Sequence, residues 1–153
     1  MKNLKKLVVL MMAVVMVFAM TACGAEQSVT YELVQDMEGI TLTDTITLNA
    51  KGDVVQQMTE KIVVDTSSFD ETQKESINAI YDELVTMYQA VEGVECTGTT
   101  TDTSYTIDIV IDATGSAVEE LAAQGLLEME GTGEGISLKA SKASFEASGY
   151  TLK

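Results

Sequence analysis

The sequence predicts an α+β domain in which an antiparallel sheet of about four to five strands packs on one long helix, followed by short C-terminal helices. Apolar and polar residues alternate through several segments between residues 29 and 112, which is typical of strands in a sheet with one wet face. From residue 70 to residue 93 the apolar residues recur at three- and four-residue steps, as on one side of a helix. Two shorter segments with helix-capping residues complete the chain.

The first two predicted strands both alternate in polarity. Residues 29–35 place Val29, Tyr31 and Leu33 on one side, and a break at residues 36–39 follows. In residues 40–48 four apolar side chains share one face and four threonines form the other: Ile40, Leu42, Ile46 and Leu48, opposite Thr41, Thr43, Thr45 and Thr47. This pattern predicts a sheet that is apolar on one face and hydroxyl-rich on the other.

The next strand is predicted to pair with the second through a tight turn. Lys51, Gly52 and Asp53 supply the turn residues. Residues 54–65 then keep four apolar side chains in register, namely Val54, Met58, Ile62 and Val64. The two strands are therefore expected to form a hairpin.

A long helix is predicted to begin after Asp70. Asp70 is a suitable N-cap, Gln73 stands at the third helical position as in a capping box, and Gly93 is expected to form a left-handed C-cap. The apolar stripe consists of Ile77, Ile80, Tyr81, Leu84, Met87, Tyr88 and Val91. Tyr81 and Tyr88 could stack on a ligand, but aromatic residues on such a stripe are more often core residues, so we expect both in the core.

Two further strands and two short helices are predicted to complete the domain. The strands cover residues 94–99 and 104–112, with Tyr105, Ile107, Ile109 and Ile111 on one face of the second. Residues 116–124 predict a short helix that ends at Gly125, and residues 131–135 predict a loop. Ser137 is expected to cap a last helix that ends at Gly149, after which Tyr150 and Leu152 fold back onto the core.

The first 23 residues have the pattern of a bacterial lipoprotein signal. Three lysines precede an apolar run from residue 7 to residue 20, and small residues lead into Cys23. The run is short for a helix that spans a bilayer. We therefore expect that residues 1–22 are a removed signal peptide, that residues 23–28 form a lipidated Cys23 and a short tether, and that residues 29–153 form a single domain. An ordinary secretory signal with Cys23 near the cut is the alternative.

The net charge of the remaining chain limits the classes of partner that it can bind. Removal of residues 1–22 takes away three of the nine lysines and none of the 24 acids, which leaves a net charge of −18. Such a surface repels nucleic acid and anionic headgroups, so we expect no nucleic-acid partner. Cationic partners or divalent ions are better candidates, although high charge also serves solubility alone.

Several enzyme classes require residues that this chain lacks. Residues 23–153 contain no His, Arg, Trp or Pro. An imidazole base for Ser-His-Asp or Cys-His catalysis, a His-ligated zinc site and an Arg clamp on phosphate are therefore excluded. Cys96 is the one cysteine left besides Cys23, and a buried structural role is favoured over a reactive thiol. We expect no catalytic residue, no cofactor and no enzymatic activity.

Motifs along most of the chain resemble the YehR-like family of small bacterial lipoproteins, whose shared domain has no established function. The matching features are the lipobox that ends at Cys23, the turn Lys51-Gly52-Asp53-x-Val55, Tyr88 with Val91-x-Gly93-Val94, residues 106–112, and the tail Ser137-Leu138…Phe145…Gly149-Tyr150. They look like turn, cap and core positions. The resemblance thus implies a location and a fold and no catalytic site.

Acidic and hydroxyl residues form the strongest chemical pattern that remains. Hard oxygen ligands suited to calcium occur at Asp102, Asp108, Asp112, Thr114, Ser116, Glu119 and Glu120. Their spacing is not that of an EF-hand, and a solvated face is the favoured interpretation, with no metal site assigned. Two carboxylates could also serve a glycosidase, but the chain has few aromatic residues to stack on sugars.

Three functional hypotheses follow. The first and favoured one is a membrane-anchored extracytoplasmic lipoprotein on the outer face of the cell membrane, a non-catalytic binding or accessory module whose strands, loops or Thr-rich sheet face contact an envelope protein or a small molecule. The second is a structural or divalent-cation-binding envelope lipoprotein. The third is a carboxylate-based hydrolase, which requires a pocket with two acids, at least one of them with a raised pKa.

Overall fold

The computed structural model describes residues 15–17, 24–37, 40–130 and 135–153. In chain order its elements are β1 (Val15–Val17), β2 (Glu26–Met37), β3 (Ile40–Lys51), β4 (Val54–Asp65), α1 (Glu71–Gln89), β5 (Val94–Thr100), β6 (Ser104–Asp112), α2 (Ala117–Ala123), β7 (Glu128–Glu130), α3 (Leu138–Ala147) and β8 (Thr151–Leu152). The α+β class predicted from the sequence is confirmed. No helix in these described ranges is long and apolar enough to cross a membrane.

The main sheet has six strands, where four to five were predicted. Their order is β5-β6-β4-β3-β2-β8, and every neighbouring pair is antiparallel. The strand that the sequence did not predict is β8, in which Leu152 and Thr151 pair with Tyr31 and Glu32. Strand β1 lies outside this sheet and pairs in parallel with β7.

One face of the main sheet packs on the helices. Helix α1 buries Ile77, Tyr81, Leu84, Val85 and Tyr88, and the ring of Tyr81 lies 5.2 Å from that of Tyr105 on β6. Helix α3 covers the other end of the same face. The ring centre of its Phe145 lies 5.4 Å from that of Tyr31 on β2. Burial of this apolar face is the main favourable term in folding. The predicted core roles of Tyr81 and Tyr88 are confirmed.

A β-bulge changes the inward residues at the start of β4. Asn49 pairs with Gln57 and Ala50 pairs with Val55, so Gln56 is the extra residue. A bulge reverses the alternation of side chains beyond it. Val55 is therefore buried with Ala50, and Val54, which the sequence placed in register with the core, is only partly buried.

Two predicted chain endings differ from the structure. Helix α1 has the predicted capping box between Asp70 and Gln73, but it ends at Gln89 with Ala90 as its C-cap. Gly93 has a positive φ of 86° and belongs to the turn before β5, so its prediction as the helix cap was wrong. Tyr150 is buried as predicted, whereas Leu152 is 63% exposed, because a two-residue strand at the sheet edge leaves that side chain in solvent.

The N-terminal predictions fall largely outside the described residues. Cys23 lies outside them, as does the predicted loop apart from Gly135, and of residues 1–22 only those of β1 are described. Removal of the signal peptide and lipidation of Cys23 stay predictions. Strand β2 begins at Glu26, within the predicted tether.

Candidate functional site

A pair of carboxyl groups lies on the covered face of the sheet. Asp44 on β3 and Glu60 on β4 are 2% and 7% exposed. Asp44 pairs with Ile62, and Glu60 pairs with Ile46. The two acids are therefore diagonal neighbours on adjacent strands, and both occupy positions where the alternation demands an inward side chain.

Tyr150 is the hydrogen-bond partner of Asp44, one member of the pair. Its hydroxyl donates to Asp44 Oδ2 at 2.5 Å, while Asp44 Oδ1 has no partner within the described part of the chain. The ring of Tyr150 lies 5.3 Å from Phe145 on α3. Because Gly149 adopts a φ of 90° after the helix, the chain can turn Tyr150 back beneath it.

Burial changes the proton affinity of both acids. Loss of water raises the pKa of Asp44 to about 6, although the hydrogen bond from Tyr150 acts in the opposite direction. Burial also raises the pKa of Glu60 well above its ordinary range, and the neighbouring Asp44 carboxylate raises it further. The pair can therefore take up protons at mildly acidic pH.

Access to the acid pair distinguishes it from the site that a hydrolase requires. Four clefts on the described surface have volumes between about 250 Å³ and 350 Å³. Neither Asp44 nor Glu60 lines any of these four. The hydrolase hypothesis thus gains two acids with raised pKa values, but none of these four clefts is the pocket that it requires around them.

The structure does not gather the predicted acidic ligands into one site. Asp108 forms an ion pair with Lys61 at 3.3 Å. Asp112 accepts hydrogen bonds from the backbone and hydroxyl of Thr114, and these bonds lower its pKa. Among the described residues, no three His, Cys, Asp or Glu side chains are placed to hold a metal ion.

Cys96 lies in the core, as the sequence predicted. It is buried on β5. Burial raises the pKa of its thiol to about 11, with further contributions from Glu60 and Asp108. The thiol is therefore protonated at neutral pH, which makes it a weak nucleophile.

The face of the sheet that no described helix covers carries the predicted threonines. Thr41, Thr43, Thr45 and Thr47 are all partly buried by their neighbours in the sheet. The hydroxyls of Thr30 and Thr47 are 2.8 Å apart across two strands. At one end a cleft of about 330 Å³ is lined by Thr41, Thr43, Val63, Asp65, Ser67, Thr103 and Ser104. We call this whole surface, from β2 to β6, the open sheet face.

The turn between β3 and β4 is hydrogen-bonded to the start of α3. Asp53 Oδ2 accepts from the hydroxyl of Ser137 at 2.7 Å, and Asp53 Oδ1 accepts from the backbone nitrogen of Lys139 at 2.7 Å. Gly52 has a φ of 62°, which favours glycine. A cleft of about 250 Å³ beside this turn is lined by Gln27, Gly52, Asp53, Leu138, Lys139 and Lys142.

The match to a family model decides where the chain belongs. The model described as "Protein of unknown function (DUF1307)" matches residues 27–151. The chain belongs to the DUF1307 family. Its fold is similar to the NMR structure of the Escherichia coli YehR protein, at 23% identity and a TM-score of 0.60, over 83% of this chain and 91% of that one. The resemblance to YehR-like proteins is confirmed.

A second structural neighbour of this DUF1307 protein comes from Streptococcus pneumoniae TIGR4. That NMR structure has 13% identity and a TM-score of 0.51, with 89% of this chain and 90% of the other covered. At these identities the two neighbours show the shared fold alone. No curated protein shows significant similarity to the chain.

The structure assigns physical roles to the motif residues of this DUF1307 chain. Gly52, Gly93 and Gly149 have positive φ values, while Tyr88 and Phe145 are buried. Sequence reasoning missed Asp44 and Glu60. The signal was present, since each acid stands at an inward position of an otherwise regular alternation.

Proposed function

We propose that this protein is a lipid-anchored extracytoplasmic lipoprotein on the outer face of the bacterial cell membrane, where it acts as a non-catalytic binding or accessory module of the cell envelope. The proposal joins the lipobox of the sequence to the open sheet face. Its partner is an envelope protein or a small molecule, and the membrane is contacted through the lipid on Cys23.

The start of the fold supports a close attachment to the bilayer. The backbones of Gly24 and Gly52 touch, and Gly52 donates a backbone hydrogen bond to Ala25 at 2.9 Å. Strand β2 begins with the next residue, Glu26. A lipid on Cys23 would therefore hold the domain within a few residues of the membrane, and two or more acyl chains suffice for stable anchoring.

The open sheet face is the observation that carries the binding proposal. It spans strands of 12 residues, which is about 40 Å at 3.3 Å per residue. Each threonine offers a hydroxyl that donates and accepts hydrogen bonds, together with a methyl group. A broad face of this composition suits a polar partner that forms many hydrogen bonds.

The binding face can be tested by cross-linking in cells. A photoreactive residue at Thr45, which pairs with Glu32 and Lys61 in the middle of the open sheet face, should give a discrete adduct. The matched control is the same residue at Glu83, which is exposed on helix α1. An adduct from Thr45 alone that is lost with Thr43→Lys supports the proposal. Equal labelling from both positions would contradict it.

The anchor requires a separate experiment. Cells grown with a clickable fatty acid should label the wild-type protein in the membrane fraction, and Cys23→Ala should abolish both the label and the processing of the signal. Cys96→Ala is the control, because its thiol is buried and should leave labelling unchanged. Label on Cys23→Ala would overturn the anchor.

The alternative functions predict different results for the purified protein. A divalent-cation-binding lipoprotein predicts that calcium raises the melting temperature by mass action. The buried acid pair is the observation that favours a hydrolase, and that function predicts activity that is lost in Glu60→Gln while the fold is retained. Cell-wall fragments and small solutes belong in the same thermal-shift series.

A further inference from the structure

We propose that the end of the sheet beside the anchor is a membrane-docking surface, in which Lys51, Lys139 and Lys142 contact anionic phospholipid headgroups. This inference rests on the proposed lipid anchor and adds an orientation to it. We call these three residues the anchor-side lysines.

The position of the N-terminal segment brings the anchor to this end. Gly24, the residue after Cys23, touches Gly52 in the turn between β3 and β4. Gly52 lines the same cleft as Lys139 and Lys142, and Lys51 is its chain neighbour. A lipid on Cys23 must therefore leave the protein beside these lysines.

The anchor-side lysines differ from the other lysines of the described chain in their pairing. Lys61 pairs with Asp108 at 3.3 Å, Lys74 pairs with Glu71 at 3.4 Å, and Lys153 pairs with Glu32. Across the described ranges, no ion pair joins an anchor-side lysine to a carboxylate. Their ammonium groups can therefore meet an external anion without first breaking an ion pair.

The described acids at this end do not form ion pairs with the anchor-side lysines. The Asp53 carboxylate is held by the hydroxyl of Ser137 and the backbone of Lys139, so it stabilises the start of α3 and makes no ion pair with Lys139. Glu26 stands opposite Lys51 in the β2–β3 register. Lys51 and Lys139 are exposed, and Lys142 is partly buried.

Local charge can outweigh the net charge at a membrane because dissolved salt makes interactions between charges short-ranged. At physiological ionic strength, charges beyond about 8 Å are largely screened. Each lysine held at an anionic bilayer favours the docked orientation about five-fold, so three favour it about a hundred-fold. The repulsion of anionic headgroups expected from the charge of −18 then applies to the rest of the surface.

Docking would leave the open sheet face available to a partner. The strands of the β3–β4 hairpin run away from the turn at Gly52, so their far end stands about 40 Å from the headgroups if the strands are upright. The face then extends along the side of the domain, perpendicular to the membrane.

The test uses the full mature lipoprotein reconstituted into vesicles. A fluorophore is attached through Ala143→Cys, an exposed position on α3, and quenching by headgroup-labelled lipid is measured. Vesicles that contain phosphatidylglycerol should give several-fold more quenching than vesicles of phosphatidylcholine alone, and high salt should remove the difference.

Charge variants identify the residues responsible. Lys51→Gln with Lys139→Gln and Lys142→Gln should abolish the extra quenching. The matched triple of Lys61→Gln, Lys74→Gln and Lys153→Gln should retain it. Equal quenching in both vesicle types, or an equal loss in both triple variants, would overturn the docking surface.

Flotation of the same vesicles separates this proposal from the anchor. If the lipid anchor is absent, the wild-type protein does not float with either type of vesicle. If the anchor is present and the docking surface is not, the protein floats with both vesicle types and the quenching does not depend on phosphatidylglycerol. Docking is supported only by flotation together with quenching that depends on charge.

Discussion

The carboxyl groups of Asp44 and Glu60 lose nearly all contact with water when the sheet packs on its helices. A buried carboxyl that binds its proton more tightly in the folded state than in the unfolded chain makes stability depend on pH. The pKa of Asp44 is about 6, against an ordinary value of 3.8. The folded protein therefore binds more protons between these values, and its free energy of unfolding rises as the pH falls through this window.

The first prediction concerns this pH dependence. From Asp44 alone, the free energy of unfolding should be about 2–3 kcal/mol higher at about pH 4 than above pH 7. Glu60→Gln should make the free energy of unfolding depend less on pH, because it removes one titrating carboxyl whose pKa is raised by burial and by the neighbouring Asp44 carboxylate. Urea titrations across this range measure the slope. Glu83→Gln, an exposed acid, should leave it unchanged, and equal slopes in both variants would contradict the prediction.

The second prediction concerns the hydroxyl of Tyr150. Tyr150→Phe leaves Asp44 without its hydrogen bond, so it should lower the free energy of unfolding by about 2 kcal/mol at neutral pH. The loss should be smaller at about pH 5, because the bond to a neutral acid is weaker than the bond to a carboxylate. Tyr88→Phe is the control, since that hydroxyl donates to the carbonyl of Leu126. Its cost should not change with pH.

The third prediction concerns Gly98 on β5. A Cβ at this position would overlap the hydroxyl of Tyr105, which donates to Asp82 at 2.5 Å. Gly98→Ala should therefore lower the free energy of unfolding by about 1–3 kcal/mol through overpacking. The same change in a Tyr105→Phe background should cost less, because the overlapping atom is gone. Additive effects of the two substitutions in thermal unfolding would count against this explanation.

Individual core residues were predictable from the sequence where the alternation was regular. Leu42, Ile46 and Leu48 are buried as expected. Asp44 and Glu60 were not predicted, because pattern reasoning assigns acids to the wet face. Their inward positions follow from the alternation, but Asp44 is stabilised inside by a hydrogen bond from Tyr150, about 100 residues further along the chain.

At the scale of elements, the turn between β3 and β4 fixes where α3 begins. Besides the two carboxylate contacts of Asp53, its backbone carbonyl accepts from Leu138 at 2.8 Å. Asp53 therefore accepts three hydrogen bonds, two of them from backbone N–H groups at the start of the helix, where such groups lack partners within the helix. The Lys51-Gly52-Asp53 motif is therefore a junction between the hairpin and the last helix.

The fourth prediction tests this junction. Asp53→Ala should lower the free energy of unfolding by about 1–2 kcal/mol, as the loss of a helix cap does. Hydrogen exchange should become faster at the start of α3 and remain slow in β4 and β6. Asp53→Asn keeps one acceptor oxygen and should show a smaller loss. Uniform acceleration across the sheet would mean that Asp53 supports more than this helix.

Elements that depend on local pattern were predicted better than those that depend on distant contacts. Strand β4 was predicted with its observed bounds, and the capping box of α1 is present. The bulge at Gln56 was not predicted, because its position follows from the pairing of Ala50 with Val55. Strand β8 was missed for a similar reason, since two residues form a strand only by pairing with β2.

At the scale of the whole molecule, the fold has a covered face, an open face and an end that holds residue 24. The core is supplied by strands β2 to β6 of the main sheet and by α1, α2 and α3. Strand β1 pairs with β7 in a separate two-stranded sheet and adds no strand to the main one. Apart from the contacts of β1 with β7 and α3, the stability of the domain should therefore depend little on the segment predicted as a signal peptide.

The last prediction follows from this separation. Residues 24–153 should unfold in one cooperative transition without residues 1–23, because the main sheet and its hydrophobic face lie within them. Thermal unfolding followed by circular dichroism measures the transition, and hydrogen exchange should show slow amides in β3, β4 and β6 and faster ones in β7, which loses its partner strand. Added salt should raise the melting temperature, since it screens the self-repulsion of a strongly acidic chain. A broad transition without protected strands would instead mean that β1 and the contacts of its segment belong to the folding unit.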